Sequence, residues 1–124
     1  MKRKPPLFVI QKHAATHLHY DFRLEMDGVL KSWAVPKRPP MKRNVKRLAI
    51  QTEDHALAYA KVKGILSTQG SRVETVEIWD TGRHLLEGQG PGIIVVHLKG
   101  RRLKGKYCLV RLKGQEKNWL FFKC

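Results

Sequence analysis

The chain has 124 residues, a length that suits one domain with a single core, here read as residues 1–124. Its 25 lysines and arginines against 10 acidic residues give a formal charge of +15, which is not balanced ion-pair chemistry. That excess points to a polyanionic partner, nucleic acid ahead of an anionic membrane surface. No apolar run reaches membrane-span length, no signal-peptide pattern opens the chain, and Cys108 and Cys124 imply neither a disulfide framework nor a CxxC metal site. A folded protein of a reducing cytoplasm is the expectation.

In chain order, Leu7 to Ile10 is an apolar run that predicts a first strand. From His17 the residues alternate strictly: Leu18, Tyr20, Phe22, Leu24 and Met26 on one face, His17, His19, Asp21, Arg23 and Glu25 on the other. Asp27-Gly28 is the kind of two-residue turn that joins antiparallel strands, and Val29 to Val35 returns. Pro36 to Arg43 cannot pair as an interior strand and reads as a basic loop. Lys46 to Gln51 predicts another strand, and Ala56 to Val62 one or two helical turns, with Asp54 as the capping residue. Lys63 to Arg72 reads as a loop, Val73 to Trp79 as an imperfect strand, and Asp80-Thr81-Gly82 as a turn. Gly88 to Gly92 is another loop, and Ile93–Leu98, Leu103–Leu112 and Trp119–Lys123 complete the strands. Many short strands with almost no helical period predict an all-β fold, a small antiparallel barrel or closed sandwich. Trp33, Trp79 and Trp119 are assigned to its core.

The polar face of the second strand carries the chemistry. Same-face residues sit about 7 Å apart at Cα, so His19 and Asp21 can both reach one metal ion at about 2.0–2.2 Å. Arg23 follows one step along, placed to hold an oxyanion beside that ion. His13 supplies a third ligand if Ala14-Ala15-Thr16 turns the chain back. Two histidines and a carboxylate leave positions open for water or substrate, while a solvated strand face is the competing reading. His55 and Tyr59 share one side of a helix if that segment is helical, although from sequence alone a capping-region histidine with no chemistry is the better reading of His55. His84 and His97 have no acidic partner in sequence and are read as surface or core residues. The basic clusters at Lys42-Arg43, Lys46-Arg47, Lys99 to Arg102 and Lys104 to Lys106 together predict a phosphate-tracking surface. Neither a dinucleotide-binding glycine motif, nor a P-loop lysine, nor a serine-hydrolase elbow is present, which leaves metal-assisted phosphoester chemistry as the enzyme class.

Gln11-Lys12-His13, His19 to Glu25, and Asp27 to Lys37 together resemble the 3′-phosphoesterase domain found at the front of bacterial ligase D and as stand-alone archaeal and bacterial proteins. Lys46 to Ala49, Glu53-Asp54-His55, Tyr59-Ala60, Leu103 to Gly105, Leu109 to Arg111 and Trp119-Leu120 extend the resemblance over most of the chain. It implies a small β-barrel enzyme that heals DNA 3′ ends. Such enzymes remove a terminal ribonucleoside to leave a 3′-phosphate, and a 3′-phosphate to leave a hydroxyl, with manganese favoured. Zinc or cobalt are the substitutes that ligand chemistry allows. Position by position it implies His13, His19 and Asp21 as metal ligands and Arg23 and His55 at the scissile phosphate with Tyr59 close by. Gln11, Lys37 and Arg47 then grip the phosphate or the adjoining strand, and Glu53 orients a histidine or arginine. Implied partners are DNA or DNA–RNA primer-template ends and a ligase or polymerase of a repair system, with no membrane.

Two departures stand out. The family often has a Pro-Glu-Gly-rich turn where this chain reads Gly64-Ile-Leu-Ser-Thr-Gln-Gly70. Bacterial members carry a charged N-terminal arm, whereas a dozen residues precede His13 here, so ribonucleoside removal is expected to be weaker than phosphatase action. The rival function is a non-catalytic basic barrel that binds nucleic-acid ends, whose affinity falls with salt and ignores metal. A structural zinc module is a third reading, disfavoured because three ligands leave an open site.

Overall fold

The computed structural model describes residues 4–70 and 72–124. The elements are β1 (Leu7–Ala14), β2 (His19–Met26), β3 (Val29–Val35), β4 (Lys46–His55), a 3₁₀ helix (Leu57–Lys61), β5 (Gly64–Gln69), β6 (Arg72–Gly90), β7 (Ile93–Lys99), β8 (Lys104–Arg111) and β9 (Asn118–Lys123). The strand order is β1-β2-β3-β4-β9-β8-β7-β6, and β6 pairs back onto β1 to close an eight-stranded antiparallel barrel. β5 is an extra strand on the outer end of β6. Closure leaves the barrel strands without free edges.

Alternation along each strand sends the large apolar residues inward. Phe8, Phe22, Leu24, Trp33, Leu98, Tyr107, Leu109 and Phe121 are fully buried in one cluster, with Phe22 stacked on Phe121 at 4.5 Å between ring centres. Each such side chain contributes about 1.5–3 kcal/mol by leaving water, and Trp33, Trp79 and Trp119 all join this core. A smaller cluster lies on the barrel's outer face, where the 3₁₀ helix brings Ala60 and Tyr59 against Val9, Leu30, Leu7 and Ile78. The outer face of β1, β2 and β3 is therefore covered at one end by this helix.

The Asp27–Gly28 turn forms as expected, with both residues at positive φ (54° and 81°), the backbone that matches strand twist in a two-residue hairpin. Five sequence expectations are corrected. Asp80-Thr81-Gly82 is no turn but lies inside the 19-residue β6. There the Asp80 carboxylate accepts backbone N–H groups from Thr81, Arg101 and Leu103 at 2.8–2.9 Å and from Arg102 at 3.2 Å. It thereby binds the β7–β8 connection to the strand, and glycine at 82 lets the Lys99 carbonyl pass close by. Lys63 to Arg72 is largely the β5 strand, because pairing with β6 satisfies its backbone. The loop at Gly88 to Gly92 shrinks to Pro91-Gly92, since β6 and β7 pair through Gly90 and Ile93. Asp54 caps nothing: the 3₁₀ helix starts after Ala56 without a side-chain cap, and Asp54 instead takes a 3.0 Å bond from Lys31 Nζ. Cys108 and Cys124 are joined as a disulfide between β8 and the residue after β9, a pairing that their positions on adjacent strands allow. Among the described residues no helix is long and apolar enough to cross a membrane.

Candidate active site

Antiparallel pairing of β1 and β2 sets His13 opposite His19, Gln11 opposite Asp21 and Val9 opposite Arg23. The Ala14–Leu18 connection thus does turn the chain back, and the polar outer faces of the two strands form one surface. His13 Nδ1, His19 Nε2 and an Asp21 oxygen form a triangle with sides of 3.1, 3.3 and 3.3 Å. Ligand atoms bonded to one ion at about 2.0–2.2 Å lie about 2.8–3.6 Å apart in tetrahedral or octahedral geometry. The triangle has that size. These three residues are also the metal-capable group found among the described residues.

The other ring nitrogens determine which atoms face the triangle. His19 Nδ1 is 3.1 Å from the His17 carbonyl, and His13 Nε2 is 2.5 Å from Glu74 Oε1. Both partners only accept, so these nitrogens carry the protons and donate. The lone pairs on His13 Nδ1 and His19 Nε2 then converge with a carboxylate oxygen. Three acceptors at this spacing repel unless a cation or a proton lies between them, so the residues suit a divalent ion. The titration tendencies agree. The Asp21 hydrogen bond raises the His19 imidazole above 6.5 although burial opposes it. Burial pushes the Asp21 carboxyl up, but the His19 hydrogen bond and the charges of His19, Arg23 and His13 outweigh it and hold it below 3.8.

Arg23 is 4% exposed and held on several sides. Its Nε donates to Gln11 Oε1 at 2.7 Å and its Nη1 to Ser32 Oγ at 2.8 Å, while its guanidinium lies 4.7 Å over the Tyr59 ring. Gln11 in turn donates to the carbonyls of Tyr59 and Val62, which ties the 3₁₀ helix to the arginine. Burial lowers the Arg23 pKa from its ordinary value, with the Asp21 charge pulling it back up. The hydrogen bonds of this guanidinium among the described residues run through Nε and Nη1. Nη2, 3.6 Å from Asp21, therefore remains available to an anion beside the triangle.

His55 ends β4 and Tyr59 lies in the 3₁₀ helix, so they are not a helical pair; chain reversal after β4 still brings their rings to 4.7 Å. His55 Nδ1 is 2.9 Å from the Glu53 carbonyl and 3.1 Å from Arg23 Nη1. A carbonyl only accepts and a guanidinium only donates, so the nitrogen serves one of them at a time. When it accepts from Arg23, the neutral ring carries its proton on Nε2.

Of the residues singled out from sequence, Gln11, His13, His19, Asp21, Arg23, His55 and Tyr59 come together. Glu53 meets His55 through its carbonyl, and its carboxylate is exposed with no bond among the described residues. Lys37 is exposed just past β3, and Arg47 donates to the Arg38 carbonyl at 2.8 Å, so neither joins this network among the described residues. Sequence reasoning missed Ser32 and Glu74. Ser32 was recoverable, because the Asp27–Gly28 turn sets it opposite Arg23. Glu74 gave no local signal. His97, read as lacking an acidic partner, has Glu87 at 3.0 Å across the β6–β7 pair, and His84 is buried.

The family model for the DNA ligase D 3′-phosphoesterase domain matches residues 11–111. A multifunctional non-homologous end joining protein LigD from Pseudomonas aeruginosa is 43% identical over 123 residues, which cover 94% of this chain and 15% of that protein. Its counterpart from Mycobacterium bovis is 46% identical over 117 residues, 91% of this chain and 15% of the relative. A third, from Mycolicibacterium smegmatis, is 41% identical over 124 residues, with 91% and 16% covered. The chain therefore spans about 15% of the length of the relatives it matches.

Proposed function

The chain belongs to the DNA ligase D 3′-phosphoesterase domain family, and we propose that it is a metal-dependent enzyme that heals DNA 3′ ends. It removes a 3′-terminal ribonucleoside from a primer strand to leave a 3′-phosphate, and removes a 3′-phosphate to leave a hydroxyl. Manganese is the proposed cofactor, with zinc or cobalt as substitutes, and a ligase or polymerase of a cytoplasmic end-joining system is the proposed partner. The names of the relatives as end-joining proteins support that setting. The charge of +15 suits a DNA substrate.

One observation carries the reading: an N/N/O acceptor triangle and a buried, braced guanidinium lie side by side on one face. His13, His19 and Asp21 hold the ion, which when bound polarises a phosphate oxygen as a Lewis acid. Arg23 uses Nη2 to neutralise charge on the phosphoryl oxygens, and because Gln11 and Ser32 already fix it, little reorganisation is needed during reaction. His55 offers its Nε2 proton to the departing 3′ oxygen. In phosphate removal water adds to phosphorus as the P–O3′ bond breaks, the bonding pair goes to O3′ with that proton, and the water proton returns to the imidazole; in ribonucleoside removal the bond that breaks is P–O5′ of the departing nucleoside, and O5′ takes the pair and the proton. Tyr59 packs against both Arg23 and His55 and holds their relative position. Gln11 positions Arg23, and Lys37 and Arg47, outside that network, track the strand.

The test is an end-labelled strand bearing a 3′-phosphate, annealed to a template, with and without manganese. Metal-dependent phosphate release that His13→Ala, His19→Ala and His55→Ala each abolish supports the reading. Retained DNA binding with no turnover under any divalent metal overturns it in favour of a barrel that only binds ends.

A further inference from the structure

Among the described residues β5 pairs with β6 alone, so the β5–β6 hairpin projects from the barrel wall. It nonetheless reaches the centre of the polar face. Val76 pairs with His13 across the β1–β6 ladder, and Glu74 lies two residues further on, on the same face of β6 and diagonal to His13. Its Oε1 takes the His13 Nε2 proton at 2.5 Å, and its Oε2 accepts from Ser67 Oγ at 3.0 Å across the hairpin. Both carboxylate oxygens are therefore committed, one to each strand's neighbour.

We propose that Glu74, held by Ser67, is a positioning residue for the metal centre, acting through His13. The inference rests on the reading of the His13–His19–Asp21 triangle as a metal site. A carboxylate behind a ligating imidazole does three things. It fixes the tautomer, so that the Nδ1 lone pair and not a proton faces the triangle. It fixes the ring plane, so that Nδ1 stays 3.1 Å from His19 Nε2 and 3.3 Å from Asp21. It also raises the basicity of the ligand. A charge argument points the same way. Asp21 supplies one negative charge to the triangle, which the Arg23 guanidinium partly offsets from 3.6 Å, and Glu74 adds a second at the back of His13, away from Arg23. In a barrel carrying +15 overall, that local negative charge favours cation binding. Among the described residues His19 Nδ1 has the His17 carbonyl behind it and no carboxylate, so the carboxylate is on the His13 side.

The experiment is a manganese titration of the full chain without DNA, read by the electron paramagnetic resonance signal of free Mn²⁺. Wild type, His19→Ala, Glu74→Ala, Glu74→Gln and Ser67→Ala are compared. Glu74→Ala is expected to weaken binding about 10–100-fold. Glu74→Gln keeps an acceptor oxygen but no charge and falls between Ala and wild type. Ser67→Ala gives a loss smaller than Glu74→Ala. Glu74 lies on the hairpin surface, so the metal-free melting temperatures should match wild type, and excess manganese should restore the phosphatase rate of Glu74→Ala. If wild type binds, His19→Ala abolishes binding and both Glu74 variants bind as wild type does, the positioning role is overturned while the metal site stands. If wild type itself fails to bind manganese, the metal reading falls and takes this inference with it.

Discussion

Arg23→Lys separates the charge of this residue from its shape. Lysine keeps one positive charge, but its compact ammonium cannot reach Gln11 Oε1 and Ser32 Oγ together, which the arginine does at 2.7 and 2.8 Å through two different nitrogens. A hydrogen bond from a charged group is worth about 1.5–3 kcal/mol, and the contact over the Tyr59 ring adds about 0.5–2 kcal/mol. Losing one bond and the ring contact therefore costs about 2–5 kcal/mol of stability, against a typical domain stability of about 5–15 kcal/mol. The rate effect should be separate and larger in relative terms. Removing a preorganised donor from a developing charge costs about 10²–10³ in rate, so release of 3′-phosphate should fall by that factor in single-turnover assays at saturating manganese. Urea unfolding measures the first quantity and end-labelled DNA the second. An Arg23→Lys variant that is destabilised as expected yet releases phosphate within about threefold of wild type would refute the claim that the braced fork stabilises the transition state.

Three other outcomes follow from the geometry. Asp80→Asn keeps one acceptor oxygen and turns an amide group toward the N–H donors the other oxygen served, so urea unfolding should show a loss of about 2–4 kcal/mol; a loss under about 1 kcal/mol would remove the role assigned to this carboxylate in pinning the β7–β8 connection. Burial holds His84 below its ordinary 6.5 despite the bond it donates to the Glu25 carbonyl. The unfolded ring then takes up a proton that the folded ring refuses. Stability is complete above the unfolded value and falls as pH drops below it, by up to about 1.4 kcal/mol per pH unit from this residue. His84→Gln should flatten that part of the curve, and parallel wild-type and variant curves would contradict the assignment. Because Asp21 raises the His19 imidazole above 6.5 and a protonated ring cannot ligate, manganese affinity measured by calorimetry should weaken as pH falls through that raised value. An affinity unchanged between about pH 7.5 and 5.5 would exclude His19 as a ligand.

Strict alternation in β2 was sufficient to give its apolar and polar faces, and the Asp27–Gly28 turn was sufficient to give the β2–β3 register, down to Arg23 opposite Ser32. Both are local: side chains alternate because the backbone is pleated, and a two-residue turn leaves only one register. His13, His19, Asp21 and Arg23 were legible for that reason, needing only a short reversal at residues 14–18. The errors have a common cause in the second half of the chain. Asp80 and Gly82 look like a turn because their types are turn formers, yet backbone donors from β7–β8, about twenty residues away in sequence, hold them inside a strand. Polar residues 64–69 look like a loop until β6 supplies hydrogen-bond partners. Glu74 reaches His13 across 61 residues of sequence, through the pairing that closes the barrel. The sequence by itself therefore determined the all-β class, the inner and outer faces and the placing of His13, His19 and Asp21 on neighbouring strands, because those depend on period and turn chemistry. Only the tertiary structure decided which distant carboxylate stands behind His13, how His55 reaches Arg23 and which strands β6 joins, because barrel closure sets those contacts and no local pattern encodes it.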